Sequence, residues 1–300
     1  MAAGTLQHDA AHAARLLKWL PLAILPAVIL GVGSAWPAWV LMWALAFGVY
    51  LSLKWLALAD FLERSGRPKW PRLLGFLLLW PGMDADASFD VEAKVKRPLP
   101  RQWAFALAKI ALGCTILFGL SPRLLPIHPL VGGWAGMVGV TFILHFGVIH
   151  LLALLWRRAG VNVTPIMQAP ILANSVSDLW SRRWNLAFRD LVHRFVFRPL
   201  ARTRGAPFAM AAVFLASGLI HDLVISLTAG GGYGLPTLYF ALQGGGFFLE
   251  RSPLGKRWGL RGGWKGRLFT AIVVLAPAGL LFPPVFVERV VVPMLQTITH

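Results

Sequence analysis

Apolar residues fall into seven long runs, at roughly 16–35, 36–58, 103–120, 130–156, 207–228, 235–250 and 268–287. The stretch from Trp36 to Ala59 contains one charge, Lys54. A bilayer core takes about 20 apolar residues per helix, so the pattern predicts an all-α polytopic membrane protein. LLGFLLLWPGM (73–83) is too short to cross and reads as an interfacial or re-entrant piece. VVVPMLQTITH at the end reads as a further partial segment, which gives a bundle of about 7–9 helices. No internal repeat or low-complexity stretch divides 1–300, and the chain reads as a single membrane domain.

The polar connections between the runs alternate in charge. Lys and Arg number two in the N-terminal segment (Arg15, Lys18), eight in 59–102, nine in 157–205 and six in 251–267. GVGSAWP and TAGGGYGLP carry none, and SPRLLPIHP carries one. By the bias of positive charge toward the cytoplasm, the N-terminus and the three basic loops are expected inside, and the Gly-rich loop outside. A run that follows Arg15 and Lys18 without a small-residue cleavage site is expected to be an uncleaved first helix. A compact chain of this kind is expected in a bacterial inner membrane.

Composition narrows the classes. Hydrophobic residues make up 57% of the chain and charged residues 14%, below the roughly 25% of a soluble domain. The net charge of +17 could suit nucleic acid, but its confinement to alternate loops fits a membrane instead. The single cysteine, Cys114, allows no intrachain disulfide and reads as packing. His145 and His150 are five apart and point in different directions, a poor ligand spacing. With no HExxH, paired CxxC, P-loop or GxSxG, neither a metal site nor a serine-hydrolase elbow is expected.

Two polar clusters interrupt the oil. From Trp180, helical spacing aligns Trp184, Phe188, Leu191 and Phe195, with Arg182, Arg183, Arg189, Asp190, His193 and Arg194 largely opposite. The pattern predicts one amphipathic helix in the membrane interface, opened by a Ser175–Asp178 capping box, with Asn185 at the border of its faces. Its arginines suit phosphate, either of lipid headgroups or of an anionic cytosolic substrate such as coenzyme A. The second cluster is His221–Asp222 inside AMAAVFLASGLIHDLVISL. Ionisable groups within a span are functional candidates by default, and an imidazole kept neutral by apolar surroundings can accept a proton. Ser217 and Gly218 lie one turn back and leave room for a ligand or for a neighbouring helix. Asp222 sits about 100° around the helix. It serves either structural pairing or support of a site.

SDLWSRRWN (177–185), FRP (197–199) and SGLIHD (217–222), with WPGMDAD (80–86) and HFG (145–147), resemble the wax-synthase-like branch of the membrane-bound O-acyltransferase superfamily. The likeness is strongest over 76–295. Leu179, Ser181 and Asp222 stand where the branch usually has Phe, Gly and Glu. The length, 300 residues, is near the short end for the superfamily, so peripheral helices of its bundle are expected to be absent. The resemblance implies transfer of a fatty acyl group from acyl-CoA, as co-substrate, to the hydroxyl of a lipid acceptor such as a long-chain alcohol, without a cofactor. It implies His221 and Asn185 as catalytic residues. Asp178, Trp180, Arg182, Arg183, Trp184, Ser217, Gly218, Asp222 and His145 are the substrate-binding candidates. A sterol, diacylglycerol or glycan acceptor stays open, as does a transporter with His221 and Asp222 on a proton or substrate path. Membrane lipids are expected partners and nucleic acid is not. The oligomeric state is not fixed by the sequence.

Overall fold

A computed structural model describes residues 17–299, all helix and connection with no strand among them. Arg15 and the start of the first apolar run lie outside the described residues. Five helices are long and apolar enough to cross a membrane: α2 (Ala38–Ser65), α5 (Pro100–Leu124), α6 (Pro129–Arg158), α9 (Ala206–Ala229) and α12 (Gly263–Leu281). The first run gives a 13-residue helix, α1 (Leu20–Val32), packed on α2. The sixth gives α10 (Leu235–Arg251), 17 residues long and packed along α9. Residues 73–79 form the later part of a short helix, α3 (Trp70–Leu79), which stops before Trp80, and α4 (Ala85–Phe89) follows it.

The last run departs from its expected bounds. α12 begins at Gly263 and stops at Leu281, because Pro283 and Pro284 supply no N–H to continue it. The chain then re-enters the bundle as α13, a helical run from Pro284–Phe286 through Val292–Thr299. Val287, Val290 and Leu295 are fully buried there, against Leu117, Ile225 and Phe286. The ionisable pair Glu288–Arg289 rides on this run, and Arg289 donates to the Ala229 carbonyl at 3.3 Å.

Glycine brings α5 and α6 together. A Cβ at Gly113 would meet the Gly139 carbonyl oxygen at 2.8 Å, and one at Gly139 would meet the Leu117 nitrogen at 2.9 Å. Small residues allow this approach, and close packing replaces the hydrophobic drive that lipid does not supply between helices. Cys114, beside this crossing, is half-buried and free.

The basic connections gather at one end of the bundle. Arg194 pairs with Asp60 and, at 3.1 Å, with Asp86, and Arg64 joins the same two carboxylates. Arg157 donates to the Lys96 carbonyl at 2.9 Å. Arg267 donates to Asn174 at 2.8 Å. This end carries the segment that holds the second half of the site.

Candidate active site

The interfacial helix predicted from Trp180 to Phe195 is not one helix. A short helix, α7, runs over Val176–Asp178 and widens into a turn at Leu179–Arg183. The chain then breaks at Asn185, whose φ of 42° and ψ of 62° lie in the left-handed region. Asn tolerates that conformation because its short side chain can bond locally. Its Oδ1 accepts the Phe188 N–H at 3.2 Å and caps the next helix, α8, which runs from Leu186–Val192 to Arg198–Arg204. Asn185 is therefore a helix cap, with its amide NH2 left to donate elsewhere.

The apolar stripe does not face lipid either. Leu191 and Val192 are buried against Val49 and Leu53 of α2, with Phe188 and Phe195 alongside. Trp184 packs edge-on to Phe146 of α6 at 6.2 Å. The aromatic positions pin α7 and α8 into the bundle rather than onto the bilayer surface.

The capping pair is half as expected. Ser175 Oγ accepts the Asp178 N–H at 3.0 Å, but the Asp178 carboxylate takes the N–H of Asn174 rather than that of Ser175. It also accepts Arg183 Nε at 2.6 Å. Burial alone would raise the pKa of Asp178. The bonds from Arg183 and Asn174, with the charges of Arg183 and Arg182, outweigh it and hold the carboxyl below the usual range. Arg183 Nη1 reaches the carbonyls of Gln168 and Ala169 at 3.4 and 3.3 Å, so this guanidinium is largely spent on its own loop. Arg182 is exposed.

His221 lies on α9, and its Nδ1 is 2.7 Å from the Ser217 carbonyl oxygen. A carbonyl only accepts, so Nδ1 carries the proton and Nε2 keeps its lone pair. The imidazole packs on Phe240 of α10, with centroids 4.6 Å apart. Trp180 packs on the same ring at 5.7 Å, and on Phe214 at 6.3 Å. Phe240 thus joins the Trp180 segment to His221. Gly218 permits the approach of α9 to α10, since a Cβ there would meet the Thr237 Cα at 2.7 Å.

Asp222 points to other work. It accepts Ser226 Oγ at 2.7 Å, Gly234 N–H at 2.8 Å, Thr237 N–H at 3.0 Å and the Thr237 hydroxyl. Four donors saturate the carboxylate and fasten the Gly-rich loop to α9. His221 is not among them.

Polar atoms around the aromatic cluster are unsatisfied. Trp180 Nε1, His145 Nδ1 and Gln243 Oε1 are buried without a hydrogen-bond partner. His145 adjoins Phe146, the ring that meets Trp184. Gln243 follows Phe240 by one turn and spends only its Nε2, on the Val273 carbonyl at 2.7 Å. Gln243 and Glu250, both fully buried, are the residues that sequence reasoning passed over. Glu250 accepts the N–H groups of Val176 and Ser177 at 2.7 and 3.0 Å, together with the Ser177 hydroxyl, and so sets the start of α7. The available signal was two long polar side chains within LYFALQGGGFFLE.

This cluster lies within a stretch that has known relatives. Residues 163–242 match the model of the membrane bound O-acyl transferase family. The matched segment is similar to that family. The segment contains Trp180, Asn185, His221 and Phe240, and the resemblance read from SDLWSRRWN and SGLIHD is borne out. Over 151 residues the chain is 30% identical to the probable long-chain-alcohol O-fatty-acyltransferase 9 of Arabidopsis thaliana, covering 46% of this chain and 44% of that protein. It is 43% identical over 74 residues to the probable long-chain-alcohol O-fatty-acyltransferase 1 of the same plant, covering 22% and 21%. It is 32% identical over 72 residues to the long-chain-alcohol O-fatty-acyltransferase of Simmondsia chinensis, covering 21% and 20%. The chain thus spans less than half the length of these relatives. They are plant proteins and lend nothing to a bacterial placement. Family and apolar helices together make this an integral membrane protein.

Proposed function

We propose that the protein transfers a fatty acyl group from acyl-CoA to the hydroxyl of a long-chain alcohol, giving a wax-type ester and free CoA. The observation that carries the reading is the 2.7 Å contact of His221 Nδ1 with the Ser217 carbonyl oxygen, from which the tautomer follows. Nδ1–H is committed to Ser217, which leaves Nε2 as a base inside an aromatic-lined site. An alcohol is a weak nucleophile, and an imidazole that takes its proton during attack supplies about 10²–10⁴-fold. Nε2 removes the hydroxyl proton as the oxygen attacks the thioester carbonyl. The tetrahedral oxyanion collapses and the C–S bond breaks. The CoA thiolate then recovers the proton from Nε2. Two donors suit the oxyanion: the unpaired Nε1–H of Trp180 and the amide NH2 of Asn185. Buried aromatic surroundings keep out water, which would otherwise hydrolyse the thioester. The reaction as written needs no cofactor.

The basic end of the bundle faces the cytoplasm in this reading and admits the acyl-CoA, while the alcohol enters from the bilayer. The test uses membranes bearing wild type, His221→Ala or Asn185→Ala at matched expression, given labelled acyl-CoA and an acceptor panel of fatty alcohol, sterol and diacylglycerol. Ester formation on the alcohol should fall about 10³-fold in His221→Ala. Undiminished ester synthesis by that variant would remove His221 from the chemistry. Preference for a sterol or diacylglycerol would correct the acceptor.

A further inference from the structure

The connection from α10 to α12, SPLGKRWGLRGGWKGR (252–267), is unlike the other basic loops: six cations fall in 251–267 without one acidic residue. Its backbone is tightly organised. Ser252 Oγ accepts the Gly255 N–H at 3.1 Å and caps α11 (Pro253–Trp258). Gly259, at φ 73°, turns the chain out of that helix, and Leu260 folds inward, buried, with its N–H on the Gly255 carbonyl at 2.9 Å. The turn leaves a shallow cleft of about 380 Å³, open to solvent and lined by Lys256, Gly259, Arg261 and Gly262. The cleft opens beside the first turn of α12, whose leading N–H groups have no intrahelical acceptor.

Neither Lys256 nor Arg261 pairs with an acidic group among the described residues. Two free cations around a glycine turn at a helix start make a cradle for a phosphate. The flanks indicate where that phosphate comes from. Trp258 is 52% exposed and Trp264 is 70% exposed, one on each side of the turn. Exposed indoles beside cations are characteristic of headgroup depth in a bilayer. A site for a soluble nucleotide has no need of them.

We infer that this cleft binds the phosphate of one anionic phospholipid, with Lys256 and Arg261 as its ligands and Trp258 and Trp264 seated among the neighbouring lipids. The site lies outside the His221 cluster, and its occupancy does not depend on the acyl-transfer reading. It is nevertheless tied to α7 at both ends. Glu250 precedes it and holds Val176 and Ser177, and Arg267 follows it and holds Asn174. A lipid seated there stiffens the segment that leads to Trp180.

The experiment uses the full chain in nanodiscs of phosphatidylcholine, with or without a minor fraction of phosphatidylglycerol or phosphatidic acid. Retained lipid is counted by native mass spectrometry, and the melting temperature is read in parallel. The cleft variant Lys256→Gln/Arg261→Gln is compared with Arg251→Gln/Arg257→Gln, which removes the same charge from the same connection outside the cleft lining. Wild type should retain one anionic lipid and melt higher with it. The cleft variant should lose about thirtyfold in affinity while melting like wild type in phosphatidylcholine alone, and the control pair should keep its lipid. Equal losses in both variants would show diffuse surface attraction and overturn the site, as would undiminished binding by the cleft variant. If adenosine 3′,5′-bisphosphate or inorganic phosphate stabilises wild type through these residues and lipid does not, the ligand is soluble and the lipid assignment falls.

Discussion

Two regions of the bundle bury polar side chains in apolar surroundings, and they do it in opposite ways. In the first, Lys54 of α2 is fully buried and donates to the carbonyls of Trp80, at 2.8 Å, and Gly82. Its Nζ sits 3.3 Å from the centroid of the Phe76 ring, and Tyr50 donates to the same Trp80 carbonyl at 3.3 Å. The nitrogen finds two carbonyl oxygens and an aromatic face. In the second, Trp180 packs on Phe240 with its Nε1 unpaired, and His145 Nδ1 and Gln243 Oε1 likewise have nothing to bond. A buried orphan costs about 1–3 kcal/mol, so each is expensive unless a ligand completes it. The other two orphans among the described residues are single nitrogens of Arg72 and Arg189, and Arg189 spends its other nitrogens on Ser181 and Asp190. An ionisable group inside a span thus does not by itself mark a site. Lys54 is a fastener for the turn after α3, and Asp222 is one for the Gly-rich loop.

The comparison breaks first at Lys54. Lys54→Met keeps the volume and removes the donors, leaving the Gly82 carbonyl unpaired and the Trp80 carbonyl with Tyr50 alone. Unfolding free energy should drop by about 2–5 kcal/mol, read as thermal or denaturant stability in detergent. Ester synthesis per folded molecule should hold. An unchanged melting temperature would mean the knot is not structural. Trp180→Phe asks the converse question. It keeps a ring against Phe240 and Phe214 and deletes the orphan N–H together with part of the indole. Turnover per folded molecule should fall by about 10²-fold, the scale for one oxyanion donor, while the lost ring volume costs about 1–3 kcal/mol of stability. Full turnover would leave the indole as packing and the oxyanion to Asn185.

Much of this was legible in residue order because membrane helices announce themselves by length and charge. The five long helices and the gathering of basic loops followed from apolar runs and Lys/Arg counts. Trp180 and His221, 41 positions apart, were flagged by composition, yet nothing in their spacing shows that Phe240 joins them. The single amphipathic helix failed at Asn185. Periodicity carries across a break when the side chains on both sides happen to stay in phase, and the Asn cap is the only local warning. Glu250 was hidden for a different reason: a carboxylate at the end of an apolar helix looks solvent-bound, and the N–H groups that neutralise it come from 74 and 73 positions earlier.

The smallest effect belongs to the rim between these regions, where two carboxylates of one segment are tuned in opposite directions. Asp178 is held below the usual carboxylate range by Arg183 and the Asn174 N–H, against the effect of burial. Asp190 is raised, by burial first and then by the charge of Asp84, which together outweigh Arg189. The signs follow from linkage. A depressed carboxyl stabilises the fold above its unfolded pKa of about 3.9, and that contribution is lost as pH falls through the lower folded value. A raised carboxyl opposes folding while it is ionised, and the penalty lifts as pH falls through its higher folded value. Asp178→Asn should therefore melt below wild type at neutral pH, by no more than about 1 kcal/mol for a partly exposed pair, and the gap should close at pH below about 4. Asp190→Asn should give the reverse sign at neutral pH and converge with wild type at a higher pH than the Asp178 variant does. If both variants shift alike at every pH, the two carboxylates act through packing, and the contrast between satisfied and unsatisfied polar groups stops at the bundle interior.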